Sequence, residues 1–165
     1  IFYKNLKKIL FSPDFFNSIT SMFRQTIDNR LLNLDDSEKK HIDFPNLKFV
    51  FRTALIKDIT KYSLGAHTDS FLKFITFLFY IPTTDELKNN GTSLYKPLDE
   101  IKETKHFSLQ ETNKKFNKIK TCPFIPNSVL IFPRTNKSFH GVEEVNIHQK
   151  ERNLLLLNYS LQQKK

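Results

Sequence analysis

Residues 62–71 read YSLGAHTDSF and set an imidazole and a carboxylate, His67 and Asp69, two positions apart, just after one of only three glycines. In extended backbone, side chains alternate faces, so residues two apart project to the same side. Placed that way, the two groups can each give one ligand to a single metal ion. A third ligand has to come from elsewhere. The chain has five histidines, and His140, in NKSFHGVEEV directly after the strand-like NSVLIFP, is the candidate. Two histidines and one carboxylate with open positions are the donor set of non-haem iron centres. His41 sits among charges in a helical stretch, His106 in a polar stretch and His148 in a polar turn. These three are read as surface residues. Taken alone, a His-x-Asp pair is common by chance.

Arg152 comes twelve residues after His140 and opens the apolar run RNLLLLNYS. A charge entering such a strand needs a partner, because a buried unpaired charge is costly. The guanidinium fork matches a carboxylate in two parallel hydrogen bonds. Arg152 is therefore read either as the anchor of an acidic ligand or as half of a structural ion pair.

These residues need elements to position them. FYKNLKKIL at the start reads as an opening strand. Ser12 as N-cap, Pro13 in the first turn and Asp14 start a helix, and Phe15, Phe16, Ile19, Met22, Phe23 and Ile27 recur at helical spacing. One amphipathic helix is expected over 13–32, and DDSEKKHI can add a short second one. After Pro45 the pattern turns to strands: NLKFVFRTALIKDITKY, KFITFLFYI, NSVLIFP and RNLLLLNYS. NNG at 89–91 reads as a turn with TSLYKP as the returning strand. The polar residues 98–120 read as a long loop. Several short strands separated by turns predict an antiparallel sandwich or barrel, with the helix packed outside.

Tyr62-x-x-Gly65-x-His67-x-Asp69, TFLFYIP, GTSLY, NSVLIFP with SFHGV, and ERNLLLLNY follow one another along the chain. In that order they resemble the core of the Fe(II)/2-oxoglutarate-dependent oxygenases, in the prolyl-hydroxylase-like branch, over residues 48–160. The resemblance implies a mainly β (α+β) fold, a double-stranded β-helix or jelly roll braced by N-terminal helices. It makes 1–165 a single domain, with an N-terminal strand and helices over 1–45 and a catalytic core over 46–165 that carries the excursion 98–120. It implies Fe(II) held by His67, Asp69 and His140, with O2 as oxidant. It implies 2-oxoglutarate as co-substrate, its distal carboxylate held by Arg152 and Tyr80. The implied activity is hydroxylation of a C–H bond in a small molecule or side chain, coupled to decarboxylation of 2-oxoglutarate to succinate and CO2. Lys73, Thr92 and Tyr95 are expected at the pocket mouth. The chain departs from the family pattern in a longer spacing between His140 and Arg152, a single glycine in NNGT, and Leu156 where some relatives carry threonine. Asn158, on the Arg152 face, is a candidate replacement.

The net charge of +9 admits a nucleic-acid partner. The lysines, however, are scattered in pairs such as Lys7-Lys8, Lys39-Lys40 and Lys114-Lys115, with no arginine-rich stripe. A solvated surface is the favoured reading. The single Cys122 excludes an internal disulfide and is read as a buried thiol in a reducing, cytoplasmic setting. No apolar run approaches the roughly 20 residues that span a bilayer, and no leader segment is read at the start, where the chain opens on Ile1. The alternative to an oxygenase is a non-catalytic jelly-roll domain that binds a metal or a ligand.

Overall fold

Ser12 starts a helix as its sequence signals: its Oγ accepts the Phe15 N–H at 3.2 Å, with Pro13 in the first turn. A computed structural model describes residues 2–43, 46–59, 61–101, 106–145 and 151–164. The expected single helix over 13–32 is two, α2 (Pro13–Met22) and α3 (Arg24–Leu32), broken at Phe23. Thr20 Oγ1 donates to the Phe16 carbonyl at 2.9 Å and Ser21 Oγ to the Ser18 carbonyl at 2.8 Å. Hydroxyls that compete for helix carbonyls in this way bend or end a helix. The opening segment is not a strand but helix α1 (Phe2–Leu10). Leu6 and Leu10 are one helical turn apart and both join the core, a spacing of helical period. Asp35 and Glu38 form a capping box at the start of α4 (Asp36–His41), the short helix expected there.

The rest is mostly antiparallel β structure in two four-stranded sheets, consistent with a β-sandwich. One sheet has the order β1 (Phe49–Asp58), β8 (Arg152–Leu161), β3 (Lys73–Tyr80), β6 (Ser128–Pro133). The other has the order β2 (Leu64–His67), β7 (His140–Val142), β4 (Ser93–Pro97), β5 (Phe116–Thr121). Period-two alternation splits the first sheet into two functional faces. Phe49, Phe51, Phe77, Leu157 and Tyr159 meet Phe15, Phe16, Ile19 and Ile27 of the helices. Ile56, Asp58, Thr76, Leu78, Arg152, Leu154 and Leu156 line a cavity shared with the second sheet.

Strand β4 does not return along β3 as a hairpin; it pairs with β5 and β7 in the other sheet. The connection from Tyr80 to Ser93 is too long for a tight turn and carries the chain across the sandwich. Residues 98–120 are not one loop. Ser108 and Glu111 make a second capping box, starting α5 (Leu109–Lys115), which leads directly into β5. β5 escapes pattern reading because it is an edge strand with Phe116 buried and Asn117 to Lys120 exposed. Lysines on an edge also discourage pairing with other chains. Cys122 is a free, half-buried thiol. No helix among the described residues is long and apolar enough to cross a membrane.

Candidate metal centre

His67 ends β2 and His140 starts β7, and the two are direct cross-strand partners. That approach depends on glycine. A Cβ on Gly141 would lie 2.4 Å from the Leu64 carbonyl oxygen, and one on Gly65 would lie 1.9 Å from that of Phe107. Both clashes are with backbone, which cannot swing aside, so only glycine lets these segments close around the imidazoles. Asp69 lies two residues past the end of β2. The ligand atoms of His67, Asp69 and His140 all lie within 4.8 Å of one another, and all three residues are buried.

Each imidazole is oriented from behind. Nδ1 of His67 is 3.0 Å from the Gly65 carbonyl and Nδ1 of His140 is 3.0 Å from that of Ser138. Each carbonyl takes the proton on Nδ1, leaving Nε2 as the free lone pair. Burial, then the field of His140, push His67 down to about 4. Burial also lowers His140, against the pull of Asp69. Both rings are therefore neutral at neutral pH. Burial pushes Asp69 upward, but Lys73, His140 and the hydrogen bonds from Lys73 and Thr76 outweigh it and hold the carboxyl below its ordinary range. Lys73 Nζ sits 2.5 Å from Asp69 Oδ1, and Thr76 Oγ1 donates to Oδ2 at 2.7 Å. Thr76 Oγ1 is also 3.1 Å from Asn158 Oδ1.

Lys73 reaches this cavity through an irregularity. The β3–β8 register shifts between Lys73 and Ile75. Lys73 then joins Thr76 and Leu78 on the cavity side, while Phe74 turns to pack at a tilt against Phe49. One bulged residue reverses the facing of the strand before it.

The cavity has a volume of about 130 Å³ and runs from His67, Asp69 and His140 to Arg152. Arg152 is 1% exposed. It forms an ion pair through Nη1 with Asp58, its direct cross-strand partner, and donates from Nε to the Asn90 carbonyl at 2.6 Å. Its Nη2 is buried without a hydrogen-bond partner among the described residues. The guanidinium carbon lies 5.0 Å from the Phe124 ring centre and 5.8 Å from that of Tyr80. Thr92 lines the cavity; Tyr80 does not. The Tyr80 hydroxyl donates to Thr92 Oγ1 at 3.0 Å and accepts from the Thr92 N–H at 3.2 Å. Tyr95 is not at the mouth: its ring is buried in a separate cluster with Phe107, Phe116 and Phe139.

Three residues escape sequence reading. Asp58 occupies one side of Arg152, and only the β1–β8 register brings them together. Thr76 pins Asp69; its place four residues before Tyr80 on the same strand face is a usable signal. His106 is exposed, as expected, yet its ring stacks on His67 with centroids 4.4 Å apart and planes 14° apart. His41 is exposed on α4 and takes no part, and His148 lies outside the described residues.

No family model and no curated protein matches the chain. Among solved structures, the chain is similar to a prolyl-4-hydroxylase from Pseudomonas putida, with a TM-score of 0.43 and 12% identity, covering 74% of this chain and 56% of that one. The chain thus spans little more than half the length of that protein.

Proposed function

We propose that this chain is an Fe(II)- and 2-oxoglutarate-dependent dioxygenase that hydroxylates a C–H bond of a small molecule or side chain. The observation that carries the reading is the meeting of the His67–Asp69 pair with His140, more than seventy residues later in the sequence, at one end of a cavity whose other end is Arg152. The strand order β1-β8-β3-β6 over β2-β7-β4-β5 supports a jelly roll as its scaffold.

The residues fit such a centre on two counts. The first is donor chemistry: two neutral imidazoles with free Nε2 and one carboxylate suit a divalent first-row metal with open positions. The second is charge. The cavity wall holds Lys73 and Arg152 against Asp58 and Asp69, with both histidines neutral, so it is electrically balanced. A divalent cation makes it doubly positive, and a dicarboxylate dianion restores neutrality. The unpartnered Arg152 Nη2 offers that dianion a donor.

When bound, Fe(II), 2-oxoglutarate and O2 together supply an oxidant able to hydroxylate a C–H bond, with succinate and CO2 as co-products. His67, Asp69 and His140 hold the metal. Thr76 fixes the Asp69 carboxylate by its Oδ2. Arg152, steadied by Asp58 and Asn90, orients the distal carboxylate. Ile56, Leu78, Leu154 and Leu156 keep the cavity dry, which strengthens these charge interactions.

The test is Arg152→Ala in Mn(II)-loaded protein, followed by calorimetric titration with 2-oxoglutarate. Affinity should fall by about thirtyfold or more, the cost of deleting one partner of a buried charge pair, with Mn(II) affinity retained. Normal 2-oxoglutarate binding by the variant would end the assignment of Arg152. The alternative is a non-catalytic metal- or ligand-binding domain built on the same residues. Absence of 2-oxoglutarate-dependent succinate release from Fe(II)-loaded protein would select that reading.

A further inference from the structure

The turn between β2 and β3 carries Asp69 at its start and Lys73 at its end, and its backbone is gripped by two arginines that do not line the cavity. Arg134, one residue past β6, donates from Nε to the Asp69 carbonyl oxygen at 3.2 Å. Arg30, in the last turn of α3, donates from Nη1 to the Lys73 carbonyl at 2.9 Å and from Nη2 to the Phe71 carbonyl. Three alternate carbonyls of one short turn thus end on guanidinium groups. Behind them stands Glu38 of α4, 5% exposed. Its Oε1 accepts from Arg134 Nη1 at 3.1 Å, and its Oε2 closes the α4 capping box on the Asp35 N–H at 3.2 Å. Asn136 Oδ1 takes a further bond from Arg134 Nη1 at 2.6 Å, and the Arg134 N–H itself bonds the Phe74 carbonyl at 3.0 Å.

This is an expensive way to hold a turn. The Arg134–Glu38 pair is buried, with the part-buried Arg30 guanidinium in the field of both, and burial, then the charge of Arg134, push Arg30 down to about 10. Burial also lowers Arg134, with Glu38 opposing. Packing alone would be served as well by apolar side chains of similar volume. What the charges add is direction: a carbonyl held at a fixed point places the Cα from which the Asp69 side chain starts, and Lys73 and Thr76 then hold its carboxylate.

We infer that Arg134 and Arg30, tied to the N-terminal helices through Glu38 and α3, are positioning residues that aim the Asp69 carboxylate and so set the affinity of the metal centre. The inference rests on Asp69 being a metal ligand. It gives α3 and α4 a functional role, because a disturbance in these helices reaches the centre through these three backbone hydrogen bonds, with no residue of theirs in the cavity.

The experiment compares wild type with the Glu38→Met/Arg134→Met double variant, which removes the pair together, so that Arg30 loses the repulsion of Arg134 along with the attraction of Glu38. Co(II) affinity is measured anaerobically by equilibrium dialysis, with the visible Co(II) absorption as a report of coordination geometry. 2-Oxoglutarate affinity is measured at saturating metal. The expected result is a metal affinity lower by about 10–100-fold, the usual cost of losing an outer partner of a ligand. The Co(II) spectrum should change, and 2-oxoglutarate affinity should be unaltered because Arg152 is untouched. A folded variant with wild-type metal affinity and spectrum overturns the inference, as does a parallel loss of both affinities, which marks general loosening. Should the double variant not fold, Arg30→Met takes its place, with about tenfold weaker metal binding expected and partial rescue by Arg30→Lys. Wild-type protein that takes up no divalent metal overturns the metal-centre reading and this inference with it; wild-type uptake matched by the variants overturns the positioning role alone.

Discussion

Asp69 has more partners than a surface carboxylate needs. Lys73 Nζ stands on one oxygen and Thr76 Oγ1 on the other. A divalent cation and the Lys73 ammonium would both draw on the charge of this one carboxylate, so they compete. Lys73→Met should raise divalent-metal affinity by about tenfold, the worth of one hydrogen bond to a charged group, while lowering the thermal stability of the metal-free protein. Equilibrium dialysis checks the first and melting in chelator the second; weaker metal binding would mean that Lys73 supports the centre. The histidines set the pH response. His67 titrates at about 4 in the fold against about 6.5 when unfolded. Between those values the unfolded chain binds the extra proton, so stability rises with pH. The contribution is complete above about 6.5 and is lost as pH falls toward 4. His140 shifts the same way. Unfolding of metal-free protein followed by urea titration should show this slope, reduced in His67→Gln. Stability that increased on acidification would contradict the buried, neutral imidazoles.

The elements that hold these residues are legible in the sequence to different degrees. The His-x-Asp pair, the later histidine and the strand-opening arginine can be read because each sits in or beside an apolar run with clear strand period. Asp58 cannot, since a carboxylate ending a strand is ordinary until the register puts it opposite Arg152. Lys73 is expected near the mouth on spacing alone, and the bulge that turns it inward has no sequence marker. The helix break at Phe23 and the capping box at Ser108 are local signals, in the hydroxyls of Thr20 and Ser21 and in the Ser-x-x-Glu spacing. The length and polarity of 98–120 mask the second. The β2–β7 contact is the most demanding joint. Gly141→Ala would drive a Cβ into the Leu64 carbonyl, and about 1–3 kcal/mol of stability should be lost to overpacking. Denaturant unfolding tests this. A variant as stable as wild type with intact metal uptake would show that the two strands have slack.

Across the whole molecule, the chain divides its labour between the two faces of one sheet. The aromatic face, with Phe49, Phe51, Phe77 and Tyr159, is covered by helices. The opposite face supplies Asp58, Thr76 and Arg152 to the cavity, and the second sheet supplies the histidines. The Arg30, Arg134 and Glu38 contacts join the helical layer to the turn that carries Asp69. The positive charge belongs to other places, such as the exposed lysines of the β5 edge and of α1, and not to the cavity, whose charges balance. The central claim is that His67, Asp69 and His140 form an iron centre that chelates 2-oxoglutarate. The most direct measurement is an anaerobic titration with Fe(II) and 2-oxoglutarate, watching for the weak visible metal-to-ligand charge-transfer band, in wild type and in His67→Ala. The expected result is a band in wild type that saturates with 2-oxoglutarate and is missing from the folded variant. Folded wild-type protein with no band and no iron uptake would contradict the claim and leave a non-catalytic β-sandwich domain in its place.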